Sequence, residues 1–169
     1  MSIFNFCPSC ASKHFGFPEN RRFLCFDCGF TYYNNIATAV AIVLTFEDKI
    51  LFTVRHVDPE KGKWDLPGGF VDPNETAETA ACREIEEELG ITIPASSLRY
   101  LTSCPNDYLY KNVPYRTLDM FYQCELSHDQ ISIAAPDEIE LVFWVNRSEI
   151  ILENIGFTSI RKVIGEFFM

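Results

Sequence analysis

The chain has no long hydrophobic run, and that absence excludes a first class of function. No stretch approaches the roughly 20 apolar residues that cross a bilayer as a helix, although 47% of the 169 residues are hydrophobic. The segment Met1-Ser2-Ile3-Phe4-Asn5-Phe6-Cys7 has neither a charged leading region nor an extended apolar one. A secretory leader is therefore not expected, and the cytoplasm is the default compartment. Positive charge is scarce: 14 basic against 24 acidic residues leave a net charge of −10. That balance disfavours nucleic acid and anionic membrane as sequence-independent partners, because both carry the same sign. Internal repeats and low-complexity segments are also missing, so one ordinary domain with a small appendage is expected.

Cysteine, by contrast, is plentiful. There are seven, an odd number, and four of them form two tight pairs, a pattern that speaks for metal and against a disulfide framework. Cys7-Pro8-Ser9-Cys10 and Cys25-Phe26-Asp27-Cys28 are C-x₂-C pairs separated by 14 residues. Four thiolates on two knuckles suit a closed, tetrahedral structural Zn²⁺ site. So short a segment has little core of its own, and metal binding would supply its folding energy. Cys82, Cys104 and Cys124 stand alone and read as small buried hydrophobes.

The stretch from Gly69 to Ile91 organises the rest. A helix is expected from about Thr76, with Ala77, Ala81, Ile85 and Leu89 on one apolar stripe, Asn74 or Thr76 as cap and Gly90 as its end. Glu84, Glu87 and Glu88 lie three and four apart on one face, where like charges repel. A divalent cation would relieve that repulsion. An oxygen-only ligand set favours Mg²⁺ or Mn²⁺ over zinc.

Around this helix the pattern alternates strands with helices. Ala37 to Phe46 and Ile50 to Arg55 read as a hairpin, Leu98 to Thr102 as a strand followed by a loop through Tyr110, and Thr117 to Leu126 as a further strand. Glu140 to Asn146, apolar on both faces, is expected to be central. Ser148 to Asn154 reads as a short helix and Thr158 to Phe168 as a closing one, with Ile160, Val163, Ile164 and Phe167 on its apolar stripe. His56 falls in a polar loop where it can touch phosphate, though a lone loop histidine usually has no specific task. The expected architecture is an α+β, mixed α/β/α sandwich over residues 35–169 with a small N-terminal zinc ribbon over residues 1–34.

The residues carry a family resemblance. Gly69, Glu75 and the run Arg83-Glu84-Ile85-Glu86-Glu87-Glu88-Leu89-Gly90-Ile91 resemble the Nudix box at every defined position, and Trp64-Asp65-Leu66-Pro67-Gly68-Gly69 fits the segment before it. The resemblance implies hydrolysis of a diphosphate linkage in a nucleoside diphosphate derivative. It implies Glu84, Glu87 and Glu88 as Mg²⁺ ligands, Glu87 or Glu88 as the base, Arg83 and Glu75 as orienting partners, and the Gly69 backbone as part of the metal site. A Cys₄ ribbon before such a domain is similar to the arrangement of NADH pyrophosphatases. That likeness implies a homodimer, a fourth metal-facing carboxylate at Glu138, and Phe70 as one aromatic of the base-binding pair. This chain departs from those enzymes in Ser103-Cys104-Pro105-Asn106-Asp107-Tyr108, where Asn106 stands in place of a tryptophan. Tyr108 or Tyr110 is then the candidate substitute, and the expected small-molecule substrate is NADH or a related dinucleotide, with ADP-ribose as alternative. A non-catalytic reader of a nucleotide or RNA end is the competing class.

Overall fold

The computed structural model describes residues 4–33, 35–111 and 113–169, with the side chain of Tyr110 also outside the described set. The chain divides into two compact units, one up to Ile36 and one from Ala37 to Met169. Asn34, the last residue expected in the ribbon, is not among the described residues.

In the first unit, β1 (Phe15–Gly16), β2 (Arg22–Cys25) and β3 (Thr31–Tyr33) form an antiparallel sheet in the order β1-β2-β3. Its core is minimal: buried Cys7, Phe23 and Cys25, packed by Phe4, Phe15, Phe17 and Phe30. Phe23 is the hub, with four rings whose centroids lie 4.9–6.1 Å from its own. Two of the three buried residues are thus candidate metal ligands, and the hydrophobic part alone is too small to hold such a unit.

The second unit is built on a six-stranded mixed sheet of β4 (Ala37–Phe46), β5 (Lys49–Arg55), β6 (Trp64–Asp65), β7 (Arg99–Tyr110), β8 (Val113–Glu125) and β9 (Ile139–Asn146). The order runs β6-β5-β4-β8-β7, and β9 pairs with β5. Strands β4 and β8 are parallel from Ala37↔Thr117 to Thr45↔Glu125, and the other pairs are antiparallel. Being buried on both faces, β4 is continuously apolar rather than alternating. Its side chains still divide by parity: Val40, Ile42 and Leu44 pack with Ala80, Ala81, Ile85 and Leu89 of helix α1 (Ala77–Leu89). Ala41 and Val43 pack on the other face with Ile160, Val163 and Ile164 of helix α2 (Thr158–Phe167). The result is the expected sandwich of a mixed sheet between helices. Among the described residues, no helix is long and apolar enough to cross a membrane.

Several expectations are corrected. The segment from Ser103 to Tyr110 is a strand, because β7 continues through it and pairs with β8 to Tyr110↔Val113. It lies at the sheet edge, the place in a sheet where a proline such as Pro105 is tolerated. Strand β9 is outer rather than central: among the described residues it pairs with β5 alone, and Leu141 is exposed. The stretch from Ser148 to Asn154 forms no α-helix but two 3₁₀ turns, Arg147–Glu149 and Leu152–Asn154. Phe167 is exposed, and Phe168 takes the buried place at the end of α2. The β4–β5 hairpin is paired only next to its turn, Thr45↔Ile50 and Phe46↔Lys49, because segment 67–71 bonds β4 from Thr38 to Ile42.

Candidate active site

Two glycines bring a loop against helix α1. Segment 67–71 runs along β4, with Ile42 N donating to Pro67 O at 2.9 Å, Val40 N to Gly69 O at 2.8 Å and Val71 N to Thr38 O at 3.0 Å. Gly68 has φ of +146°, and a Cβ there would lie 2.9 Å from the Val40 carbonyl carbon. Only glycine fits so close a passage. A Cβ on Gly69 would lie 2.7 Å from Cδ of Glu84, so the Glu84 carboxylate fills the space above the Gly69 backbone.

Helix α1 presents the carboxylates. Thr76 and Thr79 form a reciprocal capping box at its start, and Gly90, in the left-handed region at φ 67°, ends it. On the inner face Glu88 is buried at 8% exposure, with Gly68 N donating to its Oε2 at 3.1 Å. Burial, with Asp65 and Glu84 as neighbouring negative charges, pushes its carboxyl well above the ordinary range against the pull of that amide. Burial raises Glu84 as well, opposed by Arg83 and reinforced by Glu87 and Glu138. Glu138, on the loop before β9, therefore acts electrostatically on both Glu84 and Glu88.

Arg83 gathers the set. Its Nε and Nη2 each donate to Glu75 at 3.1 Å, Nη1 donates to Glu84 at 2.8 Å and to Glu87 at 3.0 Å, and Nη2 also reaches the Phe70 carbonyl at 3.0 Å. Glu75 foremost, then Glu84 and Glu87, hold the guanidinium in its charged form. Glu75 in turn accepts from Asp72 N at 3.1 Å and is held below the usual carboxylate range, chiefly by Arg83. Arg83 and Glu75 are thus a bidentate brace between helix and loop.

This donor set fits a hard divalent cation. Several carboxylates lie near one another, and burial first, then their mutual repulsion, pushes the two most buried toward protonation against the pull of Arg83 on Glu84 and of Gly68 N on Glu88. They are not drawn into a tight cluster: Glu84 leans to Arg83 and Glu88 to Gly68. Among the described residues the only group of three or more potential ligands within 4.8 Å of one another is Cys7, Cys10, Cys25 and Cys28. There Cys7 and Cys28 sulfurs are 3.7 Å apart and those of Cys10 and Cys25 are 3.6 Å apart. A tetrahedron of Zn–S bonds of about 2.3 Å has edges of about 3.8 Å, so the thiols fit Zn²⁺. The Cys28 backbone amide, with that of Asp27, pulls the Cys25 thiol down to about 7 against burial.

An aromatic series flanks the glycine loop. Phe70 is 42% exposed and meets the Tyr108 ring edge-on at 5.6 Å; Tyr108 stacks on Phe157 at 5.7 Å. The Arg55 guanidinium lies 5.1 Å over Phe157 and pairs with buried Asp65 at 2.6 Å. The structure thus brings Tyr108 beside Phe70, edge to face. Tyr110 as a site residue falls outside the described side chains. Asn106 sits in β7 opposite Thr117.

The polar residues beneath the loop are ones that sequence reasoning missed. Asp65 accepts from Arg55 and from Leu66 N at 2.8 Å, and buried Asp119 accepts from Thr117 at 2.6 Å and Ser159 at 2.7 Å. The available signal was a lone acid between apolar neighbours, as in Leu118-Asp119-Met120.

Comparison with known proteins bears on the family and the fold. The NUDIX domain family matches residues 35–166. A curated relative, NAD-capped RNA hydrolase NudC of Salmonella heidelberg, is 37% identical over 100 residues, which are 59% of this chain and 38% of that protein. The chain thus spans well under half the length of the curated relatives it matches. Among solved structures, a NUDIX hydrolase from Nitrosomonas europaea superposes with a TM-score of 0.69 at 24% identity, over 97% of this chain and 92% of that one. A MutT NUDIX hydrolase from Burkholderia pseudomallei gives 0.65 at 27% identity, over 80% and 99% respectively.

Proposed function

Because this chain belongs to the Nudix family, we propose that it hydrolyses the diphosphate linkage of a nucleoside diphosphate derivative, with NADH or a related dinucleotide as the first candidate. The observation that carries this reading is the set of Glu84, Glu87 and Glu88 on one face of α1, braced by Arg83 against Glu75 and the Gly69 loop. Glu84, Glu87, Glu88 and Glu138, with the Gly69 backbone, would hold Mg²⁺ or Mn²⁺. Such an ion neutralises phosphate oxygens and makes water more acidic.

The chain's own residues position and move protons. Arg83 keeps Glu84 and Glu87 at fixed places on the helix, and Glu87, whose side chain is 57% exposed, is free to take a proton from the attacking water. Glu88 is the alternative base. Phe70 offers an exposed ring face for a nucleobase, with Tyr108 fixing its edge. Structural zinc on the four cysteines, a homodimer and cytoplasmic residence belong to the same reading.

A second reading takes its support from the relatives described as NAD-capped RNA hydrolases: the same linkage, at the end of an RNA. ADP-ribose is the third substrate on the same chemistry. Turnover of NADH, NAD⁺, ADP-ribose and an NAD-capped RNA with Mg²⁺ or Mn²⁺, with products identified, tests all three. Nucleotide binding without turnover of any of them would replace the enzyme by a non-catalytic reader. Glu87→Gln is expected to lower kcat by about 10²-fold or more while the fold persists, and near-normal turnover would sink the assignment.

A further inference from the structure

His56 lies at the end of β5, one residue beyond the irregular step between Val54 and Arg55 in the β5–β9 register. The loop that delivers Glu138 closes on itself where Glu138 N and Ile139 N donate to the Ala135 carbonyl at 3.1 and 3.0 Å, and among the described residues two further sets of hydrogen bonds tie residues 134–138 to helix α1 and to the end of β5. In one, Ala134 N donates to the Glu88 carbonyl at 2.8 Å and Ala135 N to the same oxygen at 3.4 Å, which occupies a carbonyl that the helix end leaves open. In the other, His56 N donates to the Glu138 carbonyl at 2.8 Å, and the His56 ring, through Nδ1, bonds the Pro136 carbonyl at 3.2 Å. A carbonyl can only accept, so Nδ1 carries the proton. Glu138 itself is solvent-exposed.

We infer that His56 is a positioning residue, whose ring fixes the Pro136–Glu138 segment so that the Glu138 carboxylate faces Glu84 and Glu88. The inference rests on Glu138 being a metal-facing carboxylate, as proposed above. The backbone bond from residue 56 is open to any residue but proline, whereas the ring bond needs a side-chain donor at the Nδ1 position. Asparagine supplies one, since its Nδ2 stands the same number of bonds from Cα. Alanine does not.

The test is Mn²⁺ binding to the full-length protein by electron paramagnetic resonance, a readout that needs no substrate. His56→Ala is expected to weaken Mn²⁺ binding about tenfold, as loss of an outer partner does, with His56→Asn near the wild type and thermal midpoints unchanged. Glu138→Gln should weaken binding at least as much. The double variant His56→Ala/Glu138→Gln should match Glu138→Gln alone, because the ring acts only through that carboxylate. In turnover the histidine variant should lower kcat and leave the nucleotide KM in place. Wild-type Mn²⁺ binding by His56→Ala, failure of asparagine to restore it, or additive losses in the double variant would each overturn the inference. If Glu138→Gln leaves Mn²⁺ binding intact, the assignment of Glu138 fails and the inference with it. Failure of every nucleotide substrate would instead strike the proposed reaction and leave the binding results standing.

Discussion

A methyl group added at Gly68 would meet backbone, whereas one added at Gly69 would meet only the end of the Glu84 side chain. The two neighbours should therefore fail in different ways. Gly68→Ala forces strain at a φ of +146° and presses on β4, where Val40 and Ala41 cannot retreat. A loss of about 2–4 kcal/mol is expected, read as a lower midpoint in urea. Gly69→Ala costs little stability, because a carboxylate can rotate away, but it moves Glu84 off the loop. Turnover should fall by about 10²-fold with the urea midpoint within about 0.5 kcal/mol of wild type. The spacing of Glu84, Glu87 and Glu88 could be read from the sequence because helical periodicity is local. The pairs Arg55–Asp65 and Asp119–Ser159 could not, because their members lie 10 and 40 residues apart in the chain.

At the scale of elements, α1 is held by its caps, by its apolar stripe and by one polar strut. Tyr122, buried in β8 at 2% exposure, donates to Glu78 at 2.8 Å across to the first turn of the helix. That bond foremost, with the helix-start amide of Glu78, holds the Glu78 carboxyl below its ordinary value of 4.5. A carboxylate depressed in the folded state contributes stability above its unfolded value and loses it as pH falls through the folded one. Tyr122→Phe is therefore expected to cost about 1 kcal/mol near neutrality, at the low end for a charged acceptor because Glu78 is exposed to solvent. The difference in thermal midpoint between variant and wild type should shrink as pH is taken below 4.5. A gap independent of acid would mean that ring packing, not the charge, is lost. Of the two cap candidates Asn74 and Thr76 the structure uses Thr76, and it and Gly90 were legible because each acts on its own turn, whereas the Thr79 half of the capping box was not read. The extension of β7 was not, since a polar stretch containing Pro105 and Asn106 becomes a strand only through pairing with β8, whose partners Leu118 and Thr117 lie 13 and 11 residues further on.

Across the whole molecule, charge and core divide unequally. Residues 1–36 hold 3 basic and 2 acidic residues, net +1, which leaves 11 basic and 22 acidic, net −11, for residues 37–169. A nucleotide phosphate approaching the second unit meets that excess of negative charge, so the reaction proposed for it depends on the cation between the glutamates. In the first unit a metal would serve a different purpose. Of its three buried core residues two are cysteines of the Cys₄ set, so the same atoms that would bind zinc also pack Phe23. Removing the ion would leave four thiols with sulfurs 3.6 and 3.7 Å apart in pairs, and a ring cluster too small to close over them. The second unit has its own two-sided core around β4 and draws on none of those residues. A strong zinc chelator should therefore abolish amide protection in β2 and β3 while protection in β4, β8 and α1 persists. Added Mg²⁺ should not restore the lost protection, because a hard cation does not replace zinc on thiolates. Uniform loss of protection across both units would show instead that the larger fold also needs the ribbon's metal.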